Sequence, residues 1–332
     1  VLAAPDKFRG SASAADGAAA ILAGAGAAGW TGDALPLADG GEGTLDVLGG
    51  PDRGTRVSDP LGRPVDAAWL LRADGVAVVE AARASGLALV GGAEGNAPLE
   101  ATSRGTGELV AAALDAGARE IVVALGGSAT TDGGAGAVEV LAGRGPLGGP
   151  GAAAQVVVAC DVTTRFLDAA RVFGPQKGAD PAQVVMLTRR LETLAAGYRA
   201  RFGVDVRRLP GAGAAGGLGG GPAALGARLV PGVDLVARHA GLDAALAGAD
   251  LVVTGEGCLD AGSRQGKVVG GLVERARGLG VPVVVVAGTV LPGHGLDVPV
   301  LGLADLYGEA SWTRTADCVA AAVQQFLERR AT

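Results

Sequence analysis

Three stretches of the chain set carboxylates among glycines: Leu37 to Asp46 (LADGGEGTLD), Gly126 to Gly134 (GGSATTDGG) and Val253 to Asp260 (VTGEGCLD). Carboxylate oxygens are ligands for Mg²⁺ and acceptors for a hydroxyl proton. Glycines beside them let backbone N–H groups approach an anion closely. The candidates are Asp39 and Glu42 in the first stretch, Asp132 in the second and Glu256 and Asp260 in the third, with Ser128, Thr130 and Thr131 as hydroxyl donors. The same residue types also make an ordinary capped turn between a strand and a helix, so each stretch alone supports either reading. Three of them at strand ends suggest a metal-nucleotide cleft, because a phosphate-bound Mg²⁺ needs oxygen ligands and room for its waters.

Positive charge comes from three further segments. FGPQKGA (Phe173 to Ala179) offers Lys177, APDKFRGSAS (Ala4 to Ser13) offers Asp6, Lys7 and Arg9, and SRQGK (Ser263 to Lys267) opens a helix. A loop lysine is ordinarily a solvated surface charge, and beside a triphosphate it becomes a point-charge clamp. Arg9, Arg104 and Arg264 suit a substrate carboxylate, because a guanidinium matches it with two parallel hydrogen bonds.

Other chemistries are disfavoured. Residues 257–267 miss the Walker pattern, since Gly262 stands only four before Gly266 and Val268 follows Lys267. G-x-G-x-x-G occurs at Gly24 to Gly29 and at Gly211 to Gly216, and neither clearly follows a strand. With 59 glycines, chance placement gives about ten Gly-Gly pairs, the number present, so glycine motifs carry weight only with other residue types fixed. There is no G-x-S-x-G elbow, and His239 and His294, the only histidines, show no ligand-like pairing. A nicotinamide-dependent oxidoreductase and a non-catalytic binding protein are the rival classes.

These residues must be held by something. Val-rich runs at Ile121 to Leu125, Val156 to Ala159, Leu251 to Thr254 and Val281 to Val286 read as buried parallel strands. Between and around them Ala14 to Ala28, Thr106 to Ala116, Pro181 to Phe202, Val268 to Leu279 and Ala316 to Arg329 read as helices. Thr55 to Val57, Val65 to Leu71 and Val76 to Glu80, separated by Pro-Leu-Gly-Arg-Pro and Ala-Asp-Gly turns, form an antiparallel meander. At 332 residues the chain exceeds one ordinary core. We therefore expect an α/β protein of two domains: residues 1–54 with 235–332 as a mostly parallel sheet domain, and 55–234 as an inserted α/β domain with a mixed sheet.

Lys plus Arg total 28 against 34 Asp plus Glu, a net charge of −6 without basic clustering, which disfavours nucleic acid. The early apolar stretch Ala18 to Trp30 lies too close to Asp16 and Asp33 to span a membrane. Cys160, Cys258 and Cys318 form no C-x-x-C pair, and no basic-then-apolar leader precedes them, which points to the cytoplasm. A monomer or homodimer acting on a small molecule is expected.

Taken in order, APDKFRGS, ADGGEGTLD, DPLGRPV, TSRGTGEL, GGSATTDGG, CDV, FGPQKGA, GAGAAGGLG and VTGEG resemble the glycerate kinase family from Ala4 to about Gly288. GGSATTDGG and FGPQKGA carry the resemblance, because they fix Ser, Thr, Asp, Phe, Pro, Gln and Lys as well as Gly. It implies one Rossmann-like domain, a second α/β domain, an active site in the cleft between them, and ATP-dependent phosphorylation of D-glycerate with Mg²⁺. 2-Phosphoglycerate is the favoured product, with 3-phosphoglycerate or another small hydroxy acid as the alternative. On that reading Gly126, Gly127 and Ser128 cradle phosphate, while Lys177 and Lys267 clamp it. Asp39 and Asp132 hold metal, and Asp39, Asp132, Glu256 and Lys267 form the catalytic set. Asp6, Arg9, Arg104 and Arg264 contact the substrate. Asp132→Asn is then expected to depress turnover with the fold intact. The chain departs from the family at Cys258, where Arg is usual, at Val268-Val269, at Lys7 and Arg9, and over Thr163 to Ala170, which bears on substrate affinity more than on reaction class.

Overall fold

A computed structural model of the chain describes residues 1–264 and 267–331, with the side chains of Arg264 and Ala331 outside the description. Its strands are, in chain order, β1 (Leu2–Ala3), β2 (Asp33–Ala34), β3 (Arg53–Ser58), β4 (Pro64–Leu71), β5 (Val76–Glu80), β6 (Glu120–Ala124), β7 (Gln155–Cys160), β8 (Arg228–Pro231), β9 (Val252–Leu259), β10 (Val283–Val290) and β11 (Val300–Gly302). Packing divides the chain into two units, Val1–Asp39 with Val233–Thr332, and Gly40–Gly232.

The first unit carries a five-stranded, all-parallel sheet in the order β11-β10-β9-β1-β2. The chain winds to one side of β1 to make β2, then returns to the other side for β9, β10 and β11. That reversal is a topological switch point between β1 and β9. The helix Ala14–Ala27 starts where Ser13 and Asp16 cap each other's backbone N–H groups. Ile21 of this helix packs with Ala3, Val253, Val284 and Val286 of the sheet and with Val319, Val323 and Leu327 of the helix Thr315–Ala331. Each larger aliphatic side chain buried in this way contributes about 1.5–3 kcal/mol.

The second unit carries a six-stranded sheet in the order β3-β4-β5-β6-β7-β8. β3, β4 and β5 pair antiparallel, and β5 through β8 pair parallel. Asp59 Oδ1 makes the first hairpin by accepting the N–H groups of Leu61 (2.8 Å) and Arg63 (2.9 Å). The helix Pro181–Phe202 has the bounds its sequence signals dictate: Asp180 and Gln183 form a capping box, Pro181 opens the first turn and Gly203 (φ 75°) closes the last.

Two boundaries differ from the sequence expectation. Residues 40–54 group with the second unit, because Glu80 at the end of β5 accepts the N–H groups of Gly43 (2.8 Å) and Leu45 (2.9 Å) through one oxygen. β9 continues past Thr254 to Leu259, paired with β10 as far as Val290, so Glu256 lies within the strand rather than beyond it. The glycines that read as a turn are there for close approach: a Cβ on Gly257 would lie 2.8 Å from the backbone nitrogen of Arg9.

Candidate active site

In the first unit the carboxylates gather at the carboxyl ends of the parallel strands. Asp6 stands three residues past β1 and is tied to the adjacent strand by its N–H, which donates to Gly255 O at 2.8 Å. Glu256 comes from β9, on the other side of the switch point, and Asp39 from the segment that follows β2. The charges of these groups act on one another. Burial first, then the charge of Asp39, pushes the Asp6 carboxyl up to about 7, with Glu256 adding to the push and the Lys7 backbone N–H (2.7 Å) opposing it. Burial also raises Glu256, against a hydrogen bond from Ser263 and the charge of Lys267, while Asp260 and Asp39 add to the rise. Glu256 is 8% exposed, and its Oε1 is buried without a hydrogen-bond partner among the described residues. Mutually repelling, desolvated carboxylates are poised to take a cation or a proton.

Asp260 has a local task. Its Oδ1 accepts the N–H groups of Gly262 (2.8 Å) and Ser263 (3.0 Å), which folds the turn after β9. Lys267, at the N-cap of the helix Val268–Gly278, sets its ammonium 3.8 Å from Asp260 and is 40% exposed, so it remains open to a ligand. Arg9 is exposed. Gln265, Gly266 and the side chain of Arg264 lie outside the described residues. Among the described residues no three His, Cys, Asp or Glu side chains form a complete metal cage.

In the second unit the segment 126–134 runs from β6 to the helix Ala135–Leu141. Gly126 is glycine for packing: a Cβ there would sit 2.8 Å from Glu42 N and 2.9 Å from Gly41 Cα. Gly127 O accepts the Leu87 N–H (2.8 Å), and Ala129 N–H donates to Ser85 O (2.8 Å), which pins the turn against the residues after β5. Ser128 is buried beside them.

Asp132 and Lys177 are both buried and engaged with protein groups. Asp132 is buried and saturated: Oδ2 accepts Ser103 N–H (2.8 Å), Ser103 Oγ–H (2.8 Å) and Gly136 N–H (3.1 Å), and Oδ1 accepts Gly134 N–H (3.0 Å). Such a carboxylate caps a helix and has little lone-pair capacity left for a metal. Lys177 is 3% exposed, with Nζ donating to Ser128 Oγ (2.9 Å) and Thr130 O (2.6 Å). Burial lowers it to about 7, opposed by the charge of Asp132. Its two hydrogen bonds support the 128–130 turn. Arg104, at the start of the helix Arg104–Asp115, is engaged by Glu108 (3.0 Å) of the same helix and Glu139 (3.7 Å) of the helix Ala135–Leu141.

Three residues to which the sequence assigned no site role complete the arrangement. Glu80 anchors the Gly43–Leu45 backbone, Ser103 links Asp132 to the Ala137 N–H (3.1 Å), and Asn96 Nδ2 donates to Ala129 O (3.0 Å) and Lys177 O (2.8 Å). Each acts across a long sequence separation; Ser103 stands in the TSRGTGEL segment, whereas Glu80 and Asn96 stand in no pattern that announces a role.

No helix among the described residues is long and apolar enough to cross a membrane. Comparison with known proteins extends the geometry. The glycerate kinase family profile matches residues 1–145 and 150–332. The chain is 40% identical over 302 residues to glycerate 2-kinase of Escherichia coli K12, covering 79% of each chain. It is 38% identical over 373 residues to glycerate kinase of Bacillus subtilis 168, covering 98% of this chain and 97% of the other. A crystal structure assigned as glycerate kinase 2 from Salmonella typhimurium LT2 superposes with a TM-score of 0.84 at 36% identity, over 99% of this chain and 97% of that one.

Proposed function

The chain belongs to the glycerate kinase family, and on that premise we propose that it transfers the γ-phosphoryl group of ATP to the 2-hydroxyl of D-glycerate. The observation that carries the proposal is the pair Asp6 and Glu256 astride the β1/β9 switch point, raised by burial and by the neighbouring charge of Asp39. Phosphoryl transfer needs charge neutralisation, positioning and a proton acceptor more than covalent help. The name of the Escherichia coli relative favours the 2-position.

In this reading Asp39 and Asp6 are the carboxylates that hold Mg²⁺, which fits a metal ordinarily bound by one or two carboxylates together with phosphate oxygens and water. An ion held there would supply charge neutralisation during the phosphoryl transfer. Glu256 accepts the hydroxyl proton, since its desolvated carboxylate gains from becoming neutral. Lys267 contacts a phosphate oxygen, and the 126–128 backbone with the Ser128 hydroxyl donates to another. Arg9 pairs with the glycerate carboxylate. Asp132, with its oxygens filled, positions the 126–134 segment instead of binding metal.

ADP release, followed with ATP and Mg²⁺ in the presence and absence of D-glycerate, tests the proposal. Glycerate-dependent release that falls by at least about 100-fold in Glu256→Gln, with melting temperature unchanged, is expected for a lost proton acceptor. Full turnover in Glu256→Gln removes it from the mechanism, and no glycerate-dependent release from the parent protein moves the search to other hydroxy acids, where the exposed Cys258 in place of the usual Arg becomes the first residue to exchange.

A further inference from the structure

The Lys177 ammonium is hard to account for as a packing element. It is sealed from solvent, it makes no ion pair within 4 Å among the described residues, and its nearest carboxylate influence, Asp132, is already committed to four protein donors. Among the described residues only the Phe173 ring, 6.0 Å from Nζ, adds a diffuse attraction. An apolar side chain of the same length fills such a space with less desolvation. The hydrogen-bond directions show what the charge does. In its charged form Lys177 is donor only, so Ser128 Oγ accepts from it, and the single hydroxyl hydrogen of Ser128 then points away from Lys177. That hydrogen meets no acceptor among the described residues. The second bond, to Thr130 O, fixes the backbone two residues on, and Asn96 holds Ala129 O and Lys177 O in the same frame.

We propose that Lys177 is a positioning residue that acts through Ser128: its ammonium orients and polarises the Ser128 hydroxyl so that this hydroxyl donates to a phosphate oxygen of the nucleotide, without Lys177 touching the nucleotide itself. A hydroxyl that accepts from a cation becomes a stronger donor, because chained hydrogen bonds polarise one another. The proposal rests on the reading of the 126–128 turn as a phosphate contact.

The two residues then contribute as one unit, which a double-mutant cycle measures. Ser128→Ala and Lys177→Met are each expected to raise KM for ATP by roughly 10-fold or more, the effect of one charge-assisted donor. The double variant is expected to be no more than about 2-fold worse than the more affected single variant, with KM for D-glycerate within about 2-fold of the parent. Lys177→Gln keeps an N–H donor without the charge, and serves in place of Lys177→Met if the latter does not fold. It is expected to raise KM for ATP by about 3-fold or more at a melting temperature close to the parent's. A parental KM for ATP in Ser128→Ala overturns both the relay and the phosphate reading. A raised KM in Ser128→Ala with a parental KM in Lys177→Gln, or with fully multiplicative effects in the double variant, overturns the relay alone and leaves the phosphate reading standing.

Discussion

Replacing Asp132 by Asn separates a structural carboxylate from a catalytic one. In the parent, Oδ2 accepts three donors and Oδ1 one, at 2.8–3.1 Å and away from solvent. The best Asn orientation keeps its oxygen on Ser103 N–H, Ser103 Oγ–H and Gly136 N–H and turns its NH₂ toward the Gly134 N–H. One buried donor then faces another donor, which costs about 1–3 kcal/mol, and three bonds lose their charge assistance at roughly 0.5 kcal/mol or more each. Asp132→Asn is expected to lose about 3–5 kcal/mol of unfolding free energy. Urea unfolding at pH 7, followed by circular dichroism, reads this directly. Turnover per folded molecule should fall far less than it does in Glu256→Gln. An Asp132→Asn protein that unfolds within about 1 kcal/mol of the parent, yet loses its turnover, refutes the reasoning and returns Asp132 to the chemistry.

The other expectations concern neighbouring groups. Asp6 is held near 7 in the fold against 3.8 in its unperturbed state, so the folded protein binds the extra proton between those values and the group's contribution to stability falls as pH rises through that window. Asp6→Asn should therefore be more stable than the parent by more than about 1 kcal/mol at pH 8 and gain nothing at pH 4, as read by urea unfolding at the two pH values. Glu80→Ala leaves the N–H groups of Gly43 and Leu45 without their acceptor and should lose about 2–4 kcal/mol, with faster hydrogen exchange at those two amides. Gly126→Ala drives a Cβ against the Glu42 and Gly41 backbone and should lose about 1–3 kcal/mol, with turnover reduced in the same preparation.

Local signals carried much of this fold. Capping residues and a terminal glycine delimit Pro181–Phe202, alternation and turn residues delimit β3 to β5, and runs of valine mark β6, β7 and β10. Short strands were less visible: β8 and β11 are half-buried pieces of four and three residues, too brief for a period to register. β9 runs beyond its valine-rich part through two glycines that look like a turn: Gly255, which makes room for the Val286 backbone and the Phe8 ring, and Gly257, which makes room for the Phe8–Arg9 backbone. At the candidate site, the carboxylates can be named as candidates from type and position in the sequence. Their partners cannot, since what distinguishes Asp132 from Glu256 is whether distant donors fill the oxygens. Ser103 reaches Asp132 across 29 positions, Glu80 reaches Gly43 across 37 and Asn96 reaches Lys177 across 81. The burial of Lys177 is likewise a property of long-range packing, and the FGPQKGA turn in isolation reads as an exposed lysine.

The most direct test of the central claim is the product of a single incubation with ATP, Mg²⁺ and D-glycerate, resolved by phosphorus NMR with proton coupling. The account predicts one phosphomonoester, coupled to the C2 proton and formed in step with ADP. A folded, nucleotide-binding protein that yields no phosphoglycerate contradicts it.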